Sequence, residues 1–198
     1  YEGYNYDLVA IGEQCWFAEN CRYLPAVSPS SVGSWTSPHY YVHSYEGTDV
    51  AAAQATTNYD TYGVLYNWPA VMTNICPSGW HIPSDGEWQT MEISLGMSES
   101  VASSNFWRGS PVGQYLKSTS GWANSGNGSN SSGFNGLPGG TYDNGNFFGP
   151  GGQGYWWSST IYSSSTTPWL RAVDFGTGDV LRTYHNRDDG FSARCLMD

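Results

Sequence analysis

The chain has 198 residues and a net charge of −10, from 17 acids against 7 bases, and carries 16% aromatic but only 12% charged residues. Aromatics at this density exclude a disordered chain, because their burial offsets chain entropy. The missing Lys/Arg cluster excludes the cationic footprint of a nucleic-acid binder, and no run approaches the roughly 20 apolar residues that span a bilayer. The length suits a single domain over 1–198. Scarce Lys and Glu, with abundant Tyr, Trp, Thr and Ser, favour strands and loops over helices. The chain opens on Tyr1 without a signal segment, so the expectation is a mature product or an excised domain.

In chain order, residues 4–11 read as a first strand ending at Gly12, and Trp16 to Asn20 as a second short one. Residues 25–60 are rich in Pro, Ser and Tyr without a sustained period and read as a long loop insertion. Order resumes at residues 62–68, and Pro69 to Met72 suit a helical turn. The clearest helix follows Ser84, an N-cap with Glu87 three residues on, as a capping box requires. Trp88, Met91 and Leu95 recur at helical spacing, and Gly96 suits the stop. A second short helix is expected near residues 113–117. Residues 118–154 are rich in Gly, Ser and Asn, but interspersed aromatics make them an ordered loop pinned to a core rather than a linker. Strand-like runs follow at Gly154–Thr160, Trp169–Phe175 and Val180–His185, the last two joined by a turn at 176–179, with a closing strand at 190–196.

Four cysteines, Cys15, Cys21, Cys76 and Cys195, suit two disulfides in an extracellular chain. Of three connectivities, Cys15–Cys21 with Cys76–Cys195 is favoured: the first closes a short local loop, the second ties mid-chain to the end. A zinc site has little support. No Cys-x-x-Cys exists, and only His39 and His43 stand at a ligand-like spacing.

Five motifs carry a family resemblance. They are residues 11–20 (Ile-Gly-Glu-Gln-Cys-Trp-Phe-Ala-Glu-Asn), 62–68 (Tyr-Gly-Val-Leu-Tyr-Asn-Trp), 76–88 (from Cys-Pro-Ser-Gly-Trp to Glu-Trp), 155–160 (Tyr-Trp-Trp-Ser-Ser-Thr) and 190–195 (Gly-Phe-Ser-Ala-Arg-Cys). In this order the chain resembles the Fibrobacter succinogenes major paralogous domain, a family of secreted and surface proteins. The segment from Gly79 to Trp88 is also similar to the part of formylglycine-generating-enzyme-like proteins that opens a helix in a C-type-lectin-like fold. That second resemblance implies a fold and no function. The family often has Thr and Leu where this chain has Cys15 and Cys21, which supports a private local disulfide. The copper and oxygen chemistry of those enzyme relatives needs a thiol pair that this cysteine pattern does not reproduce. The implied fold class is α+β, C-type-lectin-like, β-dominated with one or two short helices and long loops, and disulfide-stapled.

Candidate sites divide by chemistry. Glu19, Asp85, Glu87, Asp143, Asp174 and Asp179 are carboxylates of the type a glycosidase pairs. The plainer reading makes Glu87 a capping residue and Glu19 a buried acceptor, so no enzyme is expected. Asp143, Asn144 and Asn146 form an oxygen-rich turn of the kind that cradles Ca²⁺ structurally, although no Glu completes an EF-hand loop; a plain β-turn is the competing reading. Asp188 and Asp189 are a second, weaker candidate. Asn127 and Asn130 open N-glycosylation sequons. The C-type-lectin-like resemblance implies a ligand surface on the last hairpin: Tyr162, Trp169, Arg171, Arg182, Tyr184, Asn186 and Arg187.

The resulting expectation is a non-catalytic extracellular or cell-surface recognition module, an adhesin that binds a glycan or a surface protein. The alternative is a structural subunit that assembles with copies of itself into a surface layer or filament. Neither reading involves nucleic acid or membrane insertion.

Overall fold

The computed structural model describes residues 1–163 and 166–198. The chain begins with a hairpin of β1 (Leu8–Ile11) and β2 (Gln14–Phe17), turned at Gly12, whose φ of 61° suits a residue without Cβ. Next come β3 (Tyr40–Tyr41), α1 (Val50–Gln54), α2 (Thr57–Tyr62), β4 (Leu65–Tyr66) and α3 (Trp68–Val71). Then β5 (Trp80–His81), α4 (Asp85–Ser94), α5 (Glu99–Ala102), β6 (Phe106–Arg108) and α6 (Val112–Leu116) follow. The chain closes with β7 (Thr141–Asp143), β8 (Asn146–Phe148), β9 (Gln153–Ile161), β10 (Pro168–Asp174), β11 (Val180–Tyr184) and β12 (Leu196–Met197).

Two four-stranded antiparallel sheets organise this order. One runs β1-β2-β12-β5 and joins the start of the chain to its end. The other runs β6-β11-β10-β9. Adjacent strand residues point to opposite faces. Trp157, Leu170 and Ala172 therefore pack into one core cluster, while Trp156, Val173 and Val180 pack into the other with Trp16, Trp88 and Met91. Both faces of the second sheet are covered, so β10 is buried continuously from Pro168 to Val173 instead of alternating.

The capping box forms as expected. The Ser84 backbone N–H donates to Glu87 Oε2 at 2.7 Å, and the Ser84 hydroxyl accepts from the Glu87 N–H at 3.3 Å. Trp88 and Met91 then face the core. Helices are more numerous than expected: six short α-helices stand among the described residues, not one or two. The 25–60 insertion holds β3, α1 and most of α2, so it is not simply a loop. Side chains of Asp49 and Thr56 cap the two helices. Each is under two turns long, too short to print a helical period in the sequence.

The cysteine expectation holds in one half and fails in the other. Cys76 and Cys195 form a disulfide with Cα atoms 5.8 Å apart. Cys15 and Cys21 are free thiols. Cys15 lies inside β2, paired with Ala10 across the hairpin. Cys21 lies beyond the strand end, fully buried, with its N–H bonded to Ala193 O at 2.9 Å and its thiol donating to Ile75 O at 3.5 Å. The extended strand and this separate anchoring hold the two residues in different places.

Candidate functional site

The last hairpin carries most of the expected ligand residues, and it sets four of them, Trp169, Arg171, Arg182 and Tyr184, on one face. In the β10–β11 register Trp169 faces Tyr184 and Arg171 faces Arg182. Arg171 is 1% exposed and Arg182 8%, because α4 covers this face. Asp85 and Glu92 stand seven residues apart on α4, with Trp88 between them, and so share the helix face that meets the sheet. Arg171 donates to Glu92 Oε1 at 2.7 Å and Asp85 Oδ1 at 2.8 Å. Arg182 grips Asp85 through two bonds of 2.9 and 2.7 Å. Arg108 of β6 adds a 2.6 Å bond to Glu92 Oε2. Arg171, Arg182 and the 6%-exposed Trp169 are therefore interior residues, a correction to their expected surface role.

The electrostatics of this cluster follow from burial opposed by pairing. Burial alone raises the Asp85 carboxyl, but hydrogen bonds and charges from Arg182 and Arg171 outweigh it and hold Asp85 below its ordinary value. Burial pushes the Arg108 guanidinium down, with Glu92 opposing the shift. Asp85 was legible only as one carboxylate among several. The acids at spacing seven on the apolar face of α4 were the available signal for Glu92.

What the hairpin offers to solvent is Tyr184, held in an aromatic stack. Tyr184 lies parallel to Tyr162, ring centroids 4.3 Å apart at 9°. Trp169 meets both edge-on, at 5.0 and 5.7 Å. Beneath it the Arg182 guanidinium sits 3.8 Å from the indole centroid. Carboxylate, guanidinium, indole and phenol thus form one braced column, ending in a Tyr184 that is 41% exposed. Asn186 is exposed nearby in sequence. Arg187 is drawn elsewhere, donating to Thr166 O and lying 4.7 Å over the Trp68 ring.

The other candidates sit in local structure as follows. Asn144 and Gly145 have φ of 45° and 81°, which makes them the central pair of a tight β7–β8 hairpin turn, with Asp143 opposite Asn146. The Tyr142–Gly190 bridge sets Asp143 beside Asp189. Burial and then the Asp143 carboxyl raise Asp189, while His185, which hydrogen-bonds it, pulls the other way. Among the described residues no group of three or more His, Cys, Asp or Glu is arranged to hold a metal ion. Asn127 is exposed and accepts from Trp122 N–H at 3.1 Å; Asn130 is half-buried and accepts from Asn135 N–H at 2.7 Å. Glu87 caps its helix and bonds His81 at 2.9 Å; the other ring nitrogen of His81 meets Asp198 at 2.6 Å.

Sequence reasoning missed the outer edge of the sheet. On the edge strand β6, Phe106 is 66% exposed at a φ of 66°, and Trp107 is 39% exposed. No strand pattern marked this segment.

The model of the Fibrobacter succinogenes major domain matches residues 9–197 of the chain. No curated protein and no solved structure matches it.

Proposed function

The chain belongs to the Fibrobacter succinogenes major domain family, and from that premise we propose that it is a non-catalytic recognition module acting outside the cell. The carrying observation is the braced aromatic column that ends in Tyr184. Rings held rigid from behind lose little entropy when a ligand stacks on them, and Tyr and Trp anchor binding surfaces for that reason. The reading includes a C-type-lectin-like arrangement, in which the last hairpin displays the ligand surface. The long-range disulfide supports an oxidising compartment. The ligand class is a glycan, or a surface protein presenting rings of its own. A glycan array read with and without EDTA tests this and any need for Ca²⁺ together. Binding that falls about tenfold or more in Tyr184→Ala supports the reading; silence in both conditions sinks it.

A second reading has its own observation. The edge strand β6 presents unpaired backbone and two exposed rings, Phe106 and Trp107, which suits self-association into a layer or filament. Size-exclusion with light scattering separates the two. Large assemblies that dissolve in Trp107→Lys favour the subunit; a monomer at all concentrations favours the recognition module.

A further inference from the structure

A cavity of about 240 Å³ lies on a part of the molecule remote in sequence from the last hairpin, lined by Tyr4, Asp7, Glu19, Arg22, Tyr62 and Asn135 among others. Four segments build it: the N-terminal arm, the residues after β2, the end of α2, and the loop at 135–137. Its frame is rigid. The Asn20 amide beside Glu19 donates to Tyr62 O at 2.9 Å and Ser192 Oγ at 3.2 Å, and accepts from Trp156 Nε1 and Arg194 Nε. Gly63 lies so close to Cys21 that an added Cβ would meet its carbonyl oxygen at 2.9 Å.

The polar groups of this cavity are under-used. The Arg22 guanidinium lies 4.2 Å from the Tyr4 ring centroid and makes one hydrogen bond, 3.3 Å to Tyr59 O. Its approaches to Glu19 and Asp60 are both 3.8 Å, beyond hydrogen-bond length. A guanidinium has five N–H donors, so most are left without a protein partner among the described residues. Among the described residues Glu19 accepts one hydrogen bond, from the Tyr4 hydroxyl, through one carboxylate oxygen. Asp7 stands exposed at the rim.

We propose that this cavity binds one neutral saccharide unit, a single hexose-type ring. The inference rests on the recognition reading but places a second contact away from Tyr184. Two carboxylates and one guanidinium leave a net negative lining, which rejects anions. An amine would donate to the carboxylates and leave Arg22 unused. Vicinal hydroxyls donate and accept at once and match both. Tyr4 and Tyr62 add aromatic side chains to the lining, the kind of surface a sugar's C–H groups pack on. The volume lies below the ~300–1,000 Å³ of sites for drug-sized ligands, which fits one ring rather than a chain of them.

The test is an amide-resolved NMR titration of the intact domain with free hexoses and N-acetylhexosamines at millimolar concentration. Shifts are expected at residues 4–7, 18–22, 61–63 and 135–137. Asp7→Asn, on an exposed side chain that the fold does not need, and Glu19→Gln should each weaken binding by about tenfold. No shift at these amides with any sugar overturns the proposal, as does unchanged affinity in both variants. Shifts centred on Tyr162, Trp169 and Tyr184 overturn the cavity while leaving the recognition module standing. Loss of array binding in Tyr184→Ala with intact shifts at the cavity keeps both.

Discussion

Arg194 Nε donates to Asn20 Oδ1 at 3.0 Å, joining residues 174 apart in the chain at the centre of the molecule. Arg194 is fully buried with no carboxylate partner among the described residues; carbonyls of Phe17, Phe134 and Asn135 take three of its remaining four donors, and the Phe134 ring lies 4.1 Å from its guanidinium carbon. Burial pushes its pKa down, with Glu19 opposing. Asn20 also receives Trp156 Nε1 at 2.9 Å. One amide therefore ties together four of the five sequence motifs.

Asn20→Ala removes an acceptor shared by two buried donors. It should destabilise the domain by about 2–5 kcal/mol, since unsatisfied buried groups, one of them charged, are left behind. Urea unfolding measures this; a loss under about 0.5 kcal/mol would show that water replaces the amide at no cost.

The thiol inventory gives a sharp count. Non-reduced protein, denatured and alkylated, should take up two labels, on Cys15 and Cys21. Mass spectrometry that finds none labelled would restore the local disulfide. Reduction of Cys76–Cys195, with a sequence separation of 119, should remove on the order of 4–5 kcal/mol on the chain-entropy model.

The buried ion cluster should be costly to break from one side. Glu92→Gln leaves Arg108 and Arg171 without their shared carboxylate and should cost about 3–5 kcal/mol. Asp85→Asn adds a pH signature. The Asp85 carboxyl is held below its ordinary 3.8, so its contribution is present above that pH and lost as pH falls through the depressed value. Acid unfolding of the wild type should be steeper than that of Asp85→Asn; parallel curves would count against the pairing.

His81 and Glu87 set a pH window. Burial disfavours protonated His81, but hydrogen bonds to Asp198 and Glu87 outweigh it and raise the ring above 6.5. Its contribution is full below 6.5 and lost as pH rises through the raised value. Burial raises Glu87, but Ser84 and His81 outweigh it and hold the carboxyl below 4.5, so its contribution is full above 4.5 and lost as pH falls through the lowered value. The pair helps most between about 4.5 and 6.5. The melting temperature should decline above this window in the wild type and less so in His81→Gln; identical slopes would remove the bridge from the account.

Local signals made parts of the fold legible. Ser84 and Glu87 fixed the start of α4, and the aromatic runs at 154–160, 169–175 and 180–185 marked three strands to within a residue or two. Cys76 and Cys195 form the long-range disulfide that the even cysteine count suggests. The family motifs carried the membership, because their residues hold the centre together: Asn20, Tyr62, Trp156, Ser192 and Arg194 meet in one network. Three things were decided by tertiary structure alone. Arg171 and Arg182 alternate along strands as surface residues do, and only the packing of α4 over that face buries them. Cys15 and Cys21 are close in sequence, but an extended strand and separate backbone anchors part them. The cavity at Glu19 draws on four segments, and no local pattern encodes a space whose walls meet only after the chain has folded.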